Sequence, residues 1–345
     1  MAMKTLVTGG TGYIASWVVK YLLEEGQTVH TTVRDKKNEE KNKHLYDLDN
    51  KLPGSLKIFE ADLLEKGSFS EAMEGVDHVI HMASPFKVSG IKDPQKQLID
   101  PALKGTQNVL DTVNATETVK RVVLTSSVVA IYGDNNEIGQ TKNGYFTEKH
   151  WNETSNLKHQ PYAYSKTLAE LEAWRYEKNQ DRWKLVTINP GFVMGPSLSK
   201  RTDSTSISFM QSLLKGDFKQ GLPDLYFGVV DVRDVARAHI KAAQERSAKG
   251  RHIMVSESMP AIDMVNILRY EFDSKYPLPK KKLPKSMLYI FGPMQGFNWK
   301  YIRKNIGVPL KFDNSYSKEN LGINFTPVKE TLIEHANQLI QDNKV

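Results

Sequence analysis

Through the first half of the chain, short apolar runs alternate with longer segments in which apolar residues recur every three or four positions. The runs near 3–8, 27–33, 55–60, 77–82, 120–125 and 184–189 read as buried strands. The segments near 12–25, 39–49, 67–74, 94–115 and 161–179 read as amphipathic helices, with Gly26 stopping the first of them. Strand and helix in strict alternation predict an α/β fold, a doubly wound parallel sheet with helices on both faces. After Pro190 and Gly191 the alternation loosens and proline and glycine become frequent. A strand near Phe227 to Val230 and a helix from Val232 to Ala243 are expected to return to the edge of the main domain. Arg251 to Val255 reads as a further strand and Thr326 to Ile340 as a closing amphipathic helix. The expected division is a main domain over 1–190, with return elements near 226–256, and a smaller, discontinuous C-terminal lobe made mainly of 191–345.

Composition adds limits to this picture. A chain of 345 residues that is 39% hydrophobic can bury a large core, enough for about two domains. Its longest apolar runs fall far short of the roughly 20 residues that cross a bilayer, so no membrane span is expected. The chain enters its first strand at once, so no secretory leader is expected. Zero cysteines exclude disulfides and thiolate metal sites and suit a reducing compartment, so a cytoplasmic location is expected. Lys and Arg exceed Asp and Glu by 47 to 40. The excess gathers at Lys36, Lys37, Lys41 and Lys43 and again at Lys280 to Lys282 and Lys285, without the aromatic interleaving of a nucleic-acid surface. No nucleic-acid partner is expected.

Directly between the first strand and the first helix stands Thr8-Gly9-Gly10-Thr11-Gly12-Tyr13-Ile14-Ala15. Gly9, Gly12 and Ala15 have the G-x-x-G-x-x-A spacing of a Rossmann dinucleotide loop. Small residues there tighten the turn, admit a pyrophosphate to the backbone and let helix and strand pack closely, while the helix N-terminus offers unpaired N–H groups. Thr11, Tyr13 and Ile14 belong to the same contact surface.

At the end of the second strand, where a carboxylate would grip an unphosphorylated ribose, Arg34 stands before Asp35, and Lys41 follows on the next helix. Two charge-assisted contacts of ~1.5–3 kcal/mol each favour the 2′-phosphorylated cofactor by roughly two to four powers of ten, so NADPH is expected. The competing arrangement has Asp35 on the ribose and both cations in solvent, which favours NADH. Asp62 and Leu63 after the third strand are adenine contacts, with a helix N-cap as the other role for Asp62. Ala83 and Ser84 after the fourth are small enough for close approach to the cofactor.

Tyr162 and Lys166 lie four apart on one helix face. A free phenol titrates near 10, and lowering it by ~3 units, to suit proton transfer at neutral pH, takes about 4 kcal/mol. A buried ammonium, helped by an oxidised nicotinamide, is the expected source. Ser127 closes the fifth strand, where the C-terminal edge of the sheet faces the ligand crevice, and can hold a carbonyl oxygen beside the phenol; Ser126 is the neighbouring candidate. Tyr164 stands two residues from Lys166, on another face. His81 and His159 lack partners at metal spacing and read as structural.

These residues together resemble the extended short-chain dehydrogenase/reductase family over nearly the whole chain. Within it, the chain is most similar to the group of dihydroflavonol reductases, cinnamoyl-CoA reductases and yeast methylglyoxal-reductase-like enzymes. The resemblance is carried by Thr32-Val33-Arg34-Asp35 with Lys41, His81 to Phe86, Gly105-Thr106-Gln107-Asn108-Val109-Leu110, Tyr162 to Lys166, and Asn189 to Val193. It implies a catalytic Ser127, Tyr162 and Lys166, Arg34 and Lys41 at a 2′-phosphate, and Pro190 to Val193 along the nicotinamide carboxamide. It further implies NADPH-dependent reduction of a small-molecule aldehyde or ketone. Phe86, Val128, Tyr132, Phe192, Met210, Tyr226 and Phe227 are expected to border an apolar pocket. Two rival readings are a sugar-nucleotide epimerase or dehydratase on the same scaffold and a non-catalytic NADP(H) sensor. The first is separated by tightly retained cofactor, the second by its lack of need for all three catalytic groups.

Overall fold

The computed structural model describes residues 3–84, 90–199, 204–272 and 275–345, without the side chains of 294 and 295. The strands are β1 Lys4–Thr8, β2 Thr28–Val33, β3 Ser55–Glu60, β4 His78–His81, β5 Arg121–Thr125, β6 Lys184–Pro190, β7 Phe192–Met194, β8 Tyr226–Asp231, β9 Gly250–Met254 and β10 Glu257–Pro260. In the first half the helices are α1 Tyr13–Glu24, α2 Glu39–Lys51, α3 Ser70–Met73, α4 Asp100–Ala115 and α5 Pro161–Lys178. Beyond them come α6 Thr205–Lys215, α7 Val232–Gln244, α8 Ala261–Phe272, α9 Lys285–Phe291, α10 Trp299–Asn305, α11 Ser315–Leu321 and α12 Val328–Gln341.

Seven strands form one sheet in the order β3-β2-β1-β4-β5-β6-β9, all parallel. Because side chains alternate across a strand, matched registers sort them into two layers. Leu6, Val79, Val122 and Leu185 are neighbours on one face, beneath Val109 and Val113 of α4 and Ala173 of α5. Val7, Ile80, Val123 and Val186 line the other, beneath Val18, Val19 and Leu22 of α1 and Val235, Ala238 and Ala242 of α7. The chain leaves β1 toward β2 on one side and returns to β4 on the other, so a crevice opens at the C-terminal ends of β1 and β4. Thr8 fixes its floor: its hydroxyl accepts from the N–H groups of Met82 and Ala83, both at 3.0 Å, and pairs with His81 Nδ1 at 2.9 Å. Burial holds His81 neutral, down to about 3, which gives it the structural part expected of it.

The loosened second half is more ordered than its sequence pattern suggests. The strand expected to return to the main sheet, β8, instead lies at the centre of a second sheet of order β10-β8-β7, parallel to β7 and antiparallel to β10. Its own helix, α7, does return, packing on α1, and β9 takes the edge position beside β6. The reason lies in Gly191, where a Cβ would stand 2.1 Å from the Gly228 carbonyl. Backbone contact there brings the strand after Pro190 directly onto β8. Helix α3 is also shorter than expected, and one π turn at Gln95–Ile99 precedes α4.

Ile80 is fully buried in the middle of this sheet. Ile80→Ala is therefore expected to remove about 2–5 kcal/mol of stability, seen as a lower denaturant midpoint, and a loss under about 1 kcal/mol would contradict the two-layer core described above.

Candidate active site

The loop from Gly9 to Gly12 is stitched onto β2. Gly9 N–H donates to Thr32 Oγ1 at 3.1 Å, and Gly10 N–H to the Thr32 carbonyl at 3.0 Å. Gly9 has φ +71°, a left-handed conformation natural to glycine. A Cβ on Gly10 would lie 2.1 Å from Thr31 Oγ1, a hydroxyl held by its 2.8 Å donation to the Val7 carbonyl. Gly10 therefore lets loop and strand meet. Gly12 caps α1 without a side-chain hydrogen bond, which leaves first-turn N–H groups open to an anion.

Two chambers meet at this loop, sharing Gly9, Gly12, Met82 and Ser84 in their walls. The outer one, about 690 Å³, is lined by Thr11, Arg34, Asp35, Lys41, Asp62, Leu63 and Ala83 among others. Arg34 and Lys41 are exposed at its rim, while Asp35 Oδ1 accepts the Lys37 N–H at 2.9 Å. Asp62 caps no helix: its Oδ1 accepts the Leu64 N–H at 2.8 Å in a tight turn, and α3 begins only at Ser70.

The inner chamber, about 640 Å³, takes in Tyr13, Ile14, Ser127, Tyr162, Lys166, Pro190 and Val193. Three distant segments thus converge on one space. Ser127 follows β5, and its Oγ accepts the Val129 N–H at 3.3 Å and lies 3.4 Å from the Pro190 carbonyl. Its neighbour Ser126 is buried, and its hydroxyl donates to Glu170 Oε2 at 2.5 Å. Both serines line the chamber, and Ser127 is the one whose hydroxyl no carboxylate holds.

Tyr162 and Lys166 stand one turn apart on α5, and Lys166 Nζ donates to Ser84 Oγ at 3.1 Å. Burial drives the two titrations in opposite senses. It pushes the Tyr162 phenol up, above its ordinary value, and pulls the Lys166 ammonium down to about 8, against the attraction of Glu170. The lowered phenol expected from the sequence is therefore not a property of the protein by itself. A protonated phenol beside an ammonium still charged at neutral pH is the form that gives a proton away.

Val128, Tyr132, Phe192, Tyr226 and Phe227 line the inner chamber as expected, Phe192 stacking on Phe227 with ring centres 4.8 Å apart. Met210 does not; it is fully buried in the core behind them. Phe86 lies outside the described residues. Tyr164 lines neither chamber. His159 is committed to Asp134, its Nε2 lying 2.9 Å from both carboxylate oxygens. No group of residues able to hold a metal ion lies among the described residues.

The model of the NAD dependent epimerase/dehydratase family matches residues 5–256. The chain belongs to that family, the extended short-chain dehydrogenases and reductases. It is 43% identical to cinnamoyl-CoA reductase CAD2 of Medicago truncatula over 281 residues, covering 80% of this chain and 82% of the relative. Among solved structures it resembles Gre2 of Candida albicans in complex with NADPH, with TM-score 0.80, 30% identity and coverage of 98% and 99%. It also resembles yeast methylglyoxal/isovaleraldehyde reductase Gre2 complexed with NADPH, with TM-score 0.80, 28% identity and coverage of 99% and 100%.

Against this family background, the structure adds residues that sequence reasoning missed. Gln160, Tyr301, Asn305 and Leu310 close the inner chamber from the loop before α5 and from the C-terminal lobe. Gln160 has φ +53° just ahead of the helix. No local signal marks these positions, because they are brought in by elements 140 residues and more apart in sequence. Glu170 does carry a local signal, its four-residue step from Lys166 on the same helix.

Proposed function

We propose that this protein is an NADPH-dependent carbonyl reductase, converting an apolar aldehyde or ketone to its alcohol. The observation that carries the reading is the convergence of Ser127, Tyr162 and Lys166 on one chamber that opens into a second bearing Arg34 and Lys41. The residues present fit the cofactor. Uncapped N–H groups at α1 suit a pyrophosphate, two rim cations suit a 2′-phosphate, and small Ala83 and Ser84 permit close approach. NADPH supplies the hydride when bound.

The chain's own groups handle the oxygen and the proton. Ser127 Oγ holds the carbonyl oxygen, Tyr162 donates its phenolic proton as alkoxide character develops, and the Lys166 ammonium stabilises the phenolate left behind. The raised phenol suits this direction, since reduction needs a proton donor that is loaded at neutral pH. With NADPH bound, Lys166 would also hold the ribose hydroxyls beside the nicotinamide, which would set donor and acceptor relative to each other. Aromatic Tyr132, Phe192, Tyr226 and Phe227 favour an apolar substrate over a sugar nucleotide. In this reading residues 1–190 form the cofactor domain, with α7 and β9 as its return elements, and the rest of 191–345 mainly the substrate lobe. No described helix is long and apolar enough to cross a membrane, and the cysteine-free sequence accords with a cytoplasmic setting.

Three outcomes are expected. Tyr162→Phe lowers kcat by roughly 10²–10⁴ while leaving NADPH affinity, read by fluorescence titration, within a few-fold; retained turnover across aldehydes, diketones and aryl ketones defeats the assignment. Removing both rim cations, in Arg34→Ala with Lys41→Ala, lowers the ratio of kcat/KM for NADPH over NADH by roughly two to four powers of ten, and an unchanged ratio places the phosphate elsewhere. Finally, kcat/KM for NADPH, which reports the free enzyme, falls as pH rises through about 8, because Lys166 is charged below that value and neutral above it. A flat profile to pH 10 (roughly the ordinary lysine range) contradicts this role.

A further inference from the structure

Glu170 is fully buried on α5, four residues beyond Lys166 and eight beyond Tyr162, so the three share one stripe of the helix. Six hydrogen bonds, from five residues, converge on its carboxylate. Oε1 accepts from Arg251 Nε at 2.6 Å, Thr187 Oγ1 at 3.1 Å and Trp174 Nε1 at 3.3 Å; Oε2 accepts from Ser126 Oγ at 2.5 Å, Asn189 Nδ2 at 2.8 Å and Arg251 Nη2 at 3.4 Å. Trp174 belongs to α5 itself; the other donors come from the residue that follows β5, from β6 and from β9. Ser126 precedes Ser127, and Asn189 precedes Pro190 and donates to the Ser127 carbonyl at 3.2 Å.

Arg251 is equally occupied. Its Nη1 donates to the carbonyls of Glu148 at 2.9 Å and His150 at 2.5 Å, its Nη2 to that of Ala130 at 3.2 Å, and its guanidinium stacks 3.7 Å over Trp151. A buried ion pair of this kind is weak evidence for stability, since its desolvation cost rivals its attraction. Its geometry says more. The pair joins the helix that carries the phenol and ammonium to β9, and the bonds from Ser126 and Asn189 join the same carboxylate to the strand ends beside Ser127 and Pro190.

We propose that Glu170 is a positioning residue of the proton relay: held by Arg251, its carboxylate fixes the register of Tyr162 and Lys166 on α5 against Ser127 and Pro190 on the sheet. A second effect follows from the same placement, because Glu170 is the carboxylate whose field opposes the burial of the Lys166 ammonium. The inference rests on the reductase reading and deepens it.

The test uses the full-length enzyme with NADPH and a carbonyl substrate turned over by the wild type. Glu170→Gln keeps the side chain's shape, removes its charge and turns an amide N–H toward an existing donor. Expected are a kcat lower by at least about tenfold, a KM for the carbonyl changed less than kcat, and a falling limb of kcat/KM for NADPH displaced to lower pH. The double variant Glu170→Gln with Arg251→Met leaves no unpaired buried charge and is expected to recover melting temperature but not kcat. Recovery of kcat along with melting temperature, or a Glu170→Gln enzyme with wild-type kcat and pH limb, overturns the proposal. Should Glu170→Gln not fold, Glu170→Asp keeps the charge but draws it back by one methylene; kcat is then expected to fall at least tenfold at an unmoved pH limb, and wild-type kcat overturns the proposal. Tyr162→Phe is measured alongside: activity in that variant would remove the reductase reading itself, whereas its inactivity together with an unaffected Glu170→Gln removes only the positioning role.

Discussion

The site turns on keeping an ammonium charged in a place where burial argues against the charge. Lys166 is almost wholly enclosed, and desolvation pulls its titration down to about 8 even against the attraction of Glu170. Partners on three sides resist this: the Ser84 hydroxyl, the field of Glu170, and, in the reading adopted above, the hydroxyls of a bound ribose. The half-buried phenol one turn away feels desolvation too, which raises its titration so that it holds its proton. In the proposed relay, donor and counter-charge are thus prepared by a single environment acting on two groups of opposite charge type.

The parallel sheet supplies the positions. Its inner strands β2, β1, β4, β5 and β6 are buried on both faces, and their C-terminal ends border the crevice that opens between β1 and β4. The glycine loop sits at the end of β1, Ser84 beyond β4, Ser127 beyond β5 and Pro190 at the end of β6. Only α5 must be set against these ends from outside the sheet, and this is where the Glu170 and Arg251 pair spans the gap. The second sheet, built on the close backbone approach of Gly191 and Gly228, then carries Phe192, Tyr226 and Phe227 to the mouth of the same chamber.

Much of this was readable in the sequence, for a physical reason. Alternating apolar runs and amphipathic segments report burial directly, so the order of the first six strands and the helices between them followed from periodicity. The i, i+4 spacing of Tyr162 and Lys166 placed both on one face, and the small residues of the loop announced a tight strand-to-helix turn. What escaped depends on pairing across long separations. Gly10 matters because of Thr31, and Glu170 because of Arg251, 81 residues away. Strand β8 carries the apolar pattern of a main-sheet strand, and only its meeting with β7 assigns it elsewhere. Met210 has the composition of a pocket wall but packs one layer behind it. Burial raises the Tyr162 phenol through neighbours drawn from distant segments, which no local pattern encodes.

The most direct test is a crystal structure of the protein with NADP+ and a carbonyl compound or its alcohol product. The account predicts the substrate oxygen within about 2.6–3.2 Å of both Tyr162 Oη and Ser127 Oγ, with Lys166 Nζ on the ribose next to the nicotinamide. A substrate oxygen bound away from Tyr162, or a nicotinamide seated outside the chamber that Ser127, Tyr162 and Lys166 line, would contradict it.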